Sequence, residues 1–283
     1  MITPKLIIHG GAGKLEGTIH KVEAMQSALL KIVTKSYKVL NSQDARSAVV
    51  YAVKCLEDNP LFNAGTGSKL QYDGKIRMSA GIMDSQSNKF SGVINIQDIK
   101  NPIEVANFLT HKRNTVIEGK HATHFARDNG FLNYNPITKE RYLEFENKCV
   151  GETGTVGAVA IDRNSQLAAA TSTGGIGGEI PGRVSDTPTV AGNYANEFAG
   201  VSSTGIGEHI VNHSLASKIV TRVQDGLSLK ISVDKTMKEA EKYQYKFGVI
   251  TIDNSGEVVV GKTCEVIYYA WFDGKNTDVF QIP

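Results

Sequence analysis

The spacing of apolar residues changes several times along this chain, and the order of those changes limits the folds open to it. From Val22 to Leu40, Met25, Ala28, Leu29, Ile32 and Val33 recur at three- and four-residue spacing, and Ala45 to Leu56 repeats the pattern. Both segments are predicted as amphipathic helices, the second ended by Asp58, Asn59 and Pro60. From Lys69 to Ile96 the helical period gives way: LQYDGKIRM turns at Asp73 and Gly74, and FSGVINI follows, which predicts an antiparallel meander. Helices return at Pro102 to Leu109 and Gly119 to Asp128. Strands are expected at Thr155 to Ile161 and Gln166 to Thr171, about a turn at Asp162 to Asn164, and a short one near Phe198 to Ser202. Helices at Glu208 to Val223 and Ser232 to Tyr243 precede a closing hairpin of FGVITID and EVVVG about Asn254 to Gly256. At the start, KLIIH reads as a buried strand entering a turn at Gly10, Gly11, Ala12 and Gly13. This order is neither regular βαβ nor all-β, and fits antiparallel sheets stacked between helical layers.

Composition excludes several classes of function. At 283 residues the length suits one large domain or two smaller ones, and 41% apolar with 21% charged residues is an ordinary globular balance. The 31 Lys and Arg against 29 Asp and Glu are scattered, so nothing calls for nucleic acid. Cys55, Cys149 and Cys264 are widely spaced and odd in number, which suits a reducing compartment and leaves at least one thiol free. Neither a secretion signal nor an apolar run of membrane-spanning length is found, so the expected location is the cytoplasm.

Residues 129–154 are the least periodic part, polar and rich in Asn, Lys and Glu. A loop of that length inside a compact domain points to a function or to disorder. No GxSxG elbow, Walker A loop, HExxH or CxxC occurs. GGAG lacks the spacing of a dinucleotide cradle and reads as a turn; His111, His121 and His124 lack an acidic third ligand and read as surface or capping residues.

The informative segment is 154–175. Thr155 opens the apolar run VGAVAI directly after the aperiodic stretch. A hydroxyl is a weak nucleophile and needs a base. If the bond before Thr155 is broken, its own α-amine, titrating near 8 when unperturbed, becomes that base. Gly154, without a Cβ, leaves its carbonyl open to attack by the Thr155 hydroxyl. The string alone favours a plain turn into a strand; its company shifts the balance. Thr171, Ser172, Thr173, Gly174 and Gly175 form a hydroxyl-rich strand end, and Thr204, Gly205 and Gly207 repeat that composition just before a helix, where bare amides suit an oxyanion or a carboxylate. Between them, Arg183 offers a bidentate donor for a carboxylate and Asp186 an acceptor for an ammonium. As a pair they describe a zwitterionic amino-acid ligand; singly, each reads equally as a surface charge.

IIHGGAG, LEDNPLFNAGTG, GIMDS, NPIEVA, GTVGAVAID, ATSTGG, PGRVSD, YAN and SSTGIGE follow one another in that order. In this the chain resembles, over essentially its whole length, the plant-type asparaginase and isoaspartyl peptidase family, N-terminal-nucleophile hydrolases that cut themselves in two. The resemblance implies one α+β domain over 1–283, a four-layer αββα sandwich, maturing into an α subunit of residues 1–154, with a mobile tail at about 129–154, and a β subunit of 155–283, which pair and dimerise. It implies that Thr155 is the nucleophile, Gly154–Thr155 the autocleavage site, Thr173 its support, Arg183 and Asp186 the substrate clamp, Thr204 and Gly205 the oxyanion hole, Gly207 a substrate contact and Asn63 a neighbour of the nucleophile. No cofactor is implied for catalysis. A structural sodium ion is implied, held by the carbonyls of Leu56, Glu57, Asn59, Phe62, Ala64 and Thr66.

The implied activity is hydrolysis of L-asparagine to aspartate and ammonia, removal of β-aspartyl residues from dipeptides, or both, through a Thr155 ester. Against the family pattern, Ser85 and Ser185 replace usual glycines beside the expected pocket, PTVAGNYAN lacks the usual GAG, and the stretch before Gly154 is short. These departures bear on substrate preference and cleavage rate more than on the reaction. The alternatives are a glycosylasparaginase, whose asparagine-glycine version of TSTGG is absent here; a protein-cleaving threonine aspartase, which needs a longer loop; and an uncleaved, inactive binding homologue.

Overall fold

The computed structural model describes residues 2–15, 19–148 and 154–281. The first half runs β1 (Lys5–Gly13), α1 (Ile19–Ser42), α2 (Ala45–Glu57), β2 (Met78–Asp84), β3 (Phe90–Ile96), α3 (Pro102–Leu109), β4 (Val116–Glu118), α4 (Gly119–Asp128) and α5 (Lys139–Glu146). The second runs β5 (Val156–Ile161), β6 (Leu167–Thr173), β7 (Asn193–Ala195), β8 (Ala199–Gly205), α6 (Gly207–His213), α7 (Leu215–Gln224), α8 (Leu229–Glu241), β9 (Phe247–Asp253), β10 (Val258–Lys262), β11 (Val266–Phe272) and β12 (Thr277–Val279).

Among the described residues the strands form an eight-stranded sheet, ordered β12-β11-β1-β5-β6-β2-β3-β4, and a four-stranded sheet, β10-β9-β8-β7. Successive side chains on a strand point to opposite faces, and this alternation decides what each residue meets. Leu6 and Ile8 of β1, with Val156, Ala158 and Ala160 of β5, join the cluster built with α1, α2 and α3. Ile7, Val159 and Ile161 face the other way, against Ile250 and Ile252 of β9. Phe247 and Val249 of β9 pack with Ile219 and Val233 of α7 and α8. One apolar cluster thus fills each gap between layers, and the order is helix, sheet, sheet, helix. Each fully buried Val or Ile contributes about 1.5–3 kcal/mol, so both faces of both sheets are held by the same term.

The parity that sends Ile7 inward also sends His9 inward, and in the same phase lie Gly157 of β5, Thr171 and Thr173 of β6, and Ser202 and Thr204 of β8. A polar seam therefore runs between the sheets at one end of β1, β5, β6 and β8.

The structure corrects several expectations. The GGAG segment is not a turn: β1 continues through Gly13, with a bulge between His9 and Ala12 and Gly11 at φ +124. LQYDGKIRM turns as expected, Gly74 N donating to Gln71 O at 2.9 Å, but its flanks are not strands, and the meander begins at Met78. The predicted helix 208–223 breaks at Ser214, whose backbone is left-handed at φ 49. A further strand, VIYYAWF (β11), pairs with β1, its period hidden by a continuous apolar run. Within 129–148, α5 escapes periodicity because its buried side chain is Arg141, which donates from Nε to Gly67 O at 2.7 Å and from its terminal nitrogen to Glu144. Residues 149–153 of the segment before Gly154, Cys149 among them, lie outside the described residues.

Candidate active site

The β5–β6 register pairs Val156 with Ser172, so Thr155 falls opposite Thr173. The Thr155 hydroxyl donates to Thr173 Oγ1 at 3.1 Å, and Thr173 Oγ1 also accepts from Gly175 N at 3.1 Å. On the other side, the ladder with β1 ends at the Gly157–His9 pair, leaving the Thr155 carbonyl beyond it. That carbonyl is held by side chains instead, His9 Nδ1 at 3.1 Å and Thr204 Oγ1 at 3.3 Å. Gly154 has φ +150, and a Cβ there would stand 2.1 Å from Asn63 Cβ. Glycine is required by this close approach. Asn63 is fixed in turn, donating from Nδ2 to Gly175 O at 2.6 Å and accepting Lys69 N at 2.8 Å.

Of the residues singled out in the sequence, Gly154, Thr155, Thr173, Arg183, Asp186, Gly205 and Gly207 line one narrow cleft. Thr204 and Asn63 are not in its lining: Thr204 reaches Thr155 from between the sheets, and Asn63 lies behind Gly154. Gly205, at φ +135, ends β8 where a Cβ would stand 2.6 Å from the Phe247 Cα. Gly207 opens α6, and a Cβ there would come within 2.7 Å of Arg183 Nη2 and 3.0 Å of Asp186 Oδ1, so its bare backbone makes room for both.

The two charged residues sit differently. Arg183 is bound bidentately by Glu208, Nε to Oε1 at 2.6 Å and Nη2 to Oε2 at 2.8 Å. This pairing holds the Glu208 carboxyl below its ordinary range against partial burial, and leaves Nη1 for another acceptor. Asp186 is 2% exposed, and its Oδ2 has no partner among the described residues. Burial pushes it up to about 7, against a backbone hydrogen bond and the Arg183 charge. Oδ1 lies on the cleft side, 3.0 Å from where a Gly207 Cβ would stand, and Oδ2 is buried toward Gly192; a buried carboxyl bordering a cleft is suited to receive a cation.

Of the two serines expected beside the pocket, only Ser185 lines the cleft, its Oγ unpartnered among the described residues. Ser85 follows the far end of β2, where its hydroxyl donates to Gln166 Oε1 and accepts Leu167 N. At about 3.3 Å per residue it lies roughly 20 Å from the Thr173 end of the strand pair, too far to shape the cleft.

The end of α2 and the loop after it, which carry Leu56, Glu57, Asn59, Phe62, Ala64 and Thr66, curl back through Phe62 N to Asn59 O at 3.1 Å and Thr66 N to Glu57 O at 2.8 Å. Burial pushes the Glu57 carboxyl up to about 8, against hydrogen bonds from Ser172, Ile103 N and Asn101. Among the described residues no cluster of three His, Cys, Asp or Glu side chains could hold a metal.

His9 was not singled out from the sequence, yet it touches Thr155 directly. Two signals mark it: its parity with Ile7 in β1, and a lone glycine, Gly157, opposite it in an otherwise apolar strand.

A family model described as asparaginase matches residues 2–150 and 145–282. The chain belongs to the asparaginase family. This asparaginase-family chain is 45% identical over 297 residues to a protein named isoaspartyl peptidase/L-asparaginase from Nostoc sp., across 97% of this chain and 93% of the other. It is 39% identical to a plant-type L-asparaginase from Pyrococcus horikoshii, across 94% and 95%. It is 34% identical to an isoaspartyl peptidase/L-asparaginase from Bos taurus, across 92% and 90%. The resemblance read from the motifs is thereby shown, and the αββα sandwich is that of an N-terminal-nucleophile hydrolase. No helix among the described residues is long and apolar enough to cross a membrane.

Proposed function

We propose that this chain is an amidohydrolase that first cuts itself between Gly154 and Thr155 and then hydrolyses L-asparagine, β-aspartyl dipeptides, or both. The observation that carries the proposal is the convergence of the Thr155 hydroxyl, the Arg183 guanidinium and the buried Asp186 carboxyl on one small cleft. A zwitterionic amino acid anchored at its α-groups presents its side-chain carbonyl one methylene beyond the α-carbon, toward Thr155.

In maturation, Thr155 Oγ attacks the Gly154 carbonyl carbon. The peptide nitrogen leaves as the Thr155 α-amine, and water hydrolyses the resulting ester. In turnover, that amine takes the proton of Thr155 Oγ as it attacks the substrate carbonyl. Donors at Gly205 and, once it turns from the Thr155 carbonyl, at the Thr204 hydroxyl receive the oxyanion. Ammonia or the downstream amino acid departs with a proton, and water then resolves the β-aspartyl ester. Thr173 fixes the direction of the attacking hydroxyl. Arg183 Nη1 receives the α-carboxylate while Glu208 holds the rest of the guanidinium in place, and the Asp186 carboxyl, through the Oδ1 beside Gly207, receives the α-ammonium.

The proposal extends to assembly and location: two subunits of residues 1–154 and 155–283, a dimer of such pairs, and a cytoplasmic protein, the last supported by the free thiols Cys55 and Cys264. It also assigns a structural sodium ion to the loop of Leu56, Glu57, Asn59, Phe62, Ala64 and Thr66. The Phe62, Ala64 and Thr66 carbonyls accept no hydrogen bond among the described residues, which fits a hard cation's preference for carbonyl oxygen. Ammonia release from L-asparagine and amino-acid release from a β-aspartyl dipeptide, assayed side by side on the fully cleaved protein, test the proposal. Turnover of at least one is expected; turnover of neither contradicts it.

A further inference from the structure

The polar seam between the sheets is a continuous hydrogen-bonded chain. Thr171 Oγ1 and Ser202 Oγ lie 2.7 Å apart, Ser202 Oγ and His9 Nε2 2.8 Å, and His9 Nδ1 and the Thr155 carbonyl 3.1 Å. Thr171, Ser202 and His9 are wholly buried. The directions follow from the end groups. A carbonyl only accepts, so Nδ1 carries the ring hydrogen; a neutral ring then accepts at Nε2 from the Ser202 hydroxyl. Burial favours that neutral ring, and the Thr155 carbonyl opposes it only in part.

Room for the chain is built into β5. A Cβ on Gly157 would stand 2.1 Å from Ser202 Oγ and 2.4 Å from His9 Nε2, so the one glycine in VGAVAI sits where the His9–Ser202 bond passes. Any side chain there would part the imidazole from its partner.

We infer that His9 is a positioning residue for the nucleophile: its Nδ1–H holds the Thr155 carbonyl, and through it the Thr155 backbone, so that the hydroxyl stays opposite Thr173. The inference rests on the proposed role of Thr155 and gives a reason why an N-terminal nucleophile needs such a tie. Once the bond to Gly154 is cut, Thr155 has no preceding peptide to fix it, and its main chain lies beyond the β1–β5 ladder. Its carbonyl is then tied by His9 and Thr204, and its hydroxyl by Thr173. His9 comes from residues 1–154, whereas Ser202 and Thr171 come from 155–283, so the tie bridges the two cleaved halves. A misplacement of about 1 Å at a reacting atom can cost on the order of a hundredfold in rate.

Two substitutions separate the tie from mere packing. In His9→Asn the amide nitrogen stands where Nδ1 stood and can still donate to the Thr155 carbonyl. In His9→Gln the amide reaches to the Nε2 position and loses that bond. Cleavage half-time, then kcat and KM for asparagine on fully cleaved protein, are measured with melting temperature for both. His9→Gln is expected to lose about tenfold in kcat with KM within roughly twofold, and His9→Asn to remain within about threefold of the parent, the size of one ordinary hydrogen bond. Unchanged kcat in His9→Gln, or equal losses in both variants at equal melting temperature, overturns the inference. Should neither variant fold, the ring tautomer of His9 in the unmodified protein, read from long-range proton–nitrogen correlations, decides: hydrogen on Nδ1 supports the tie, and hydrogen on Nε2 overturns it. An unmodified protein that neither cuts itself nor hydrolyses substrate refutes the role of Thr155 itself. An active one indifferent to His9→Gln refutes this inference alone.

Discussion

Thr173→Val removes one oxygen from the cleft and little else. Thr173 is 3% exposed, and its backbone is locked into the ladder opposite Ser79, so valine inherits the strand and most of the side-chain volume. Two donors lose their acceptor: the Thr155 hydroxyl and Gly175 N, each at 3.1 Å. Gly175 is half-buried and Thr155 borders the cleft, so water can partly replace the lost oxygen. Two ordinary hydrogen bonds at about 0.5–1.5 kcal/mol each, less that compensation, give a stability loss of about 1–2 kcal/mol. At roughly 2–4 °C per kcal/mol for a domain of 150–250 residues, the melting temperature should fall by a few degrees. The larger effect falls on the reaction. A hydroxyl free to turn away from the carbonyl it attacks loses about 1.4–2.8 kcal/mol of transition-state stabilisation, a tenfold to hundredfold drop in kcat. KM for asparagine should hold, because the clamp at Arg183 and Asp186 is untouched. The assay is ammonia release on protein shown by mass to be fully cleaved, with a parallel time course of cleavage in the precursor. A folded Thr173→Val that cuts itself and turns over asparagine within about twofold of the parent would refute the role given to the Thr155–Thr173 bond.

Thr155→Ala should remain one chain and release no ammonia, since neither attack has a hydroxyl; two fragments of normal size on a denaturing gel would remove Thr155 from the mechanism. Arg183→Ala should cleave at nearly the parent rate but raise KM for asparagine by tenfold or more, the scale of a charge-assisted bond of about 1.5–3 kcal/mol; an unchanged KM would take Arg183 out of the clamp. Asp186 titrates near 3.8 in the unfolded chain and about 7 in the fold, so the folded form binds more protons across that window. Stability should therefore fall as pH rises from about 4 to 7 and level off above, and Asp186→Asn should flatten the slope in urea titrations. Affinity should move the other way: kcat/KM for asparagine should rise through about pH 7 as the carboxylate that receives the ammonium forms, and a profile flat across that range would contradict the assignment.

Strand and helix periods made α3 and α4 legible to the residue, because each carries a clean apolar stripe between clear ends. β11 was hidden because it is apolar along both faces, and α5 because it is held by an arginine rather than a stripe. The residues that line the cleft were legible as spaced glycine and hydroxyl motifs, and Gly154 and Gly207 have steric reasons to be glycine that the structure makes explicit. Their convergence was not legible from period alone, since it depends on β5 lying between β1 and β6 with Thr155 one residue before the strand. Glu208 passed unnoticed as one more acid at a helix start, although it fixes Arg183. His9 is illegible for a similar reason: its partners come from strands distant in sequence, and its parity with Ile7 places the ring only once the face that Ile7 takes is known.

The claim on which all of this turns is that Thr155 frees its own amine. It is tested most directly by the intact mass of the denatured protein, followed over time at neutral pH, with N-terminal sequencing of any second species. Two species summing to the parent mass plus one water, the second beginning TVGAVAID, are predicted. A full-length chain of 30.6 kDa that persists while releasing ammonia from asparagine would contradict it.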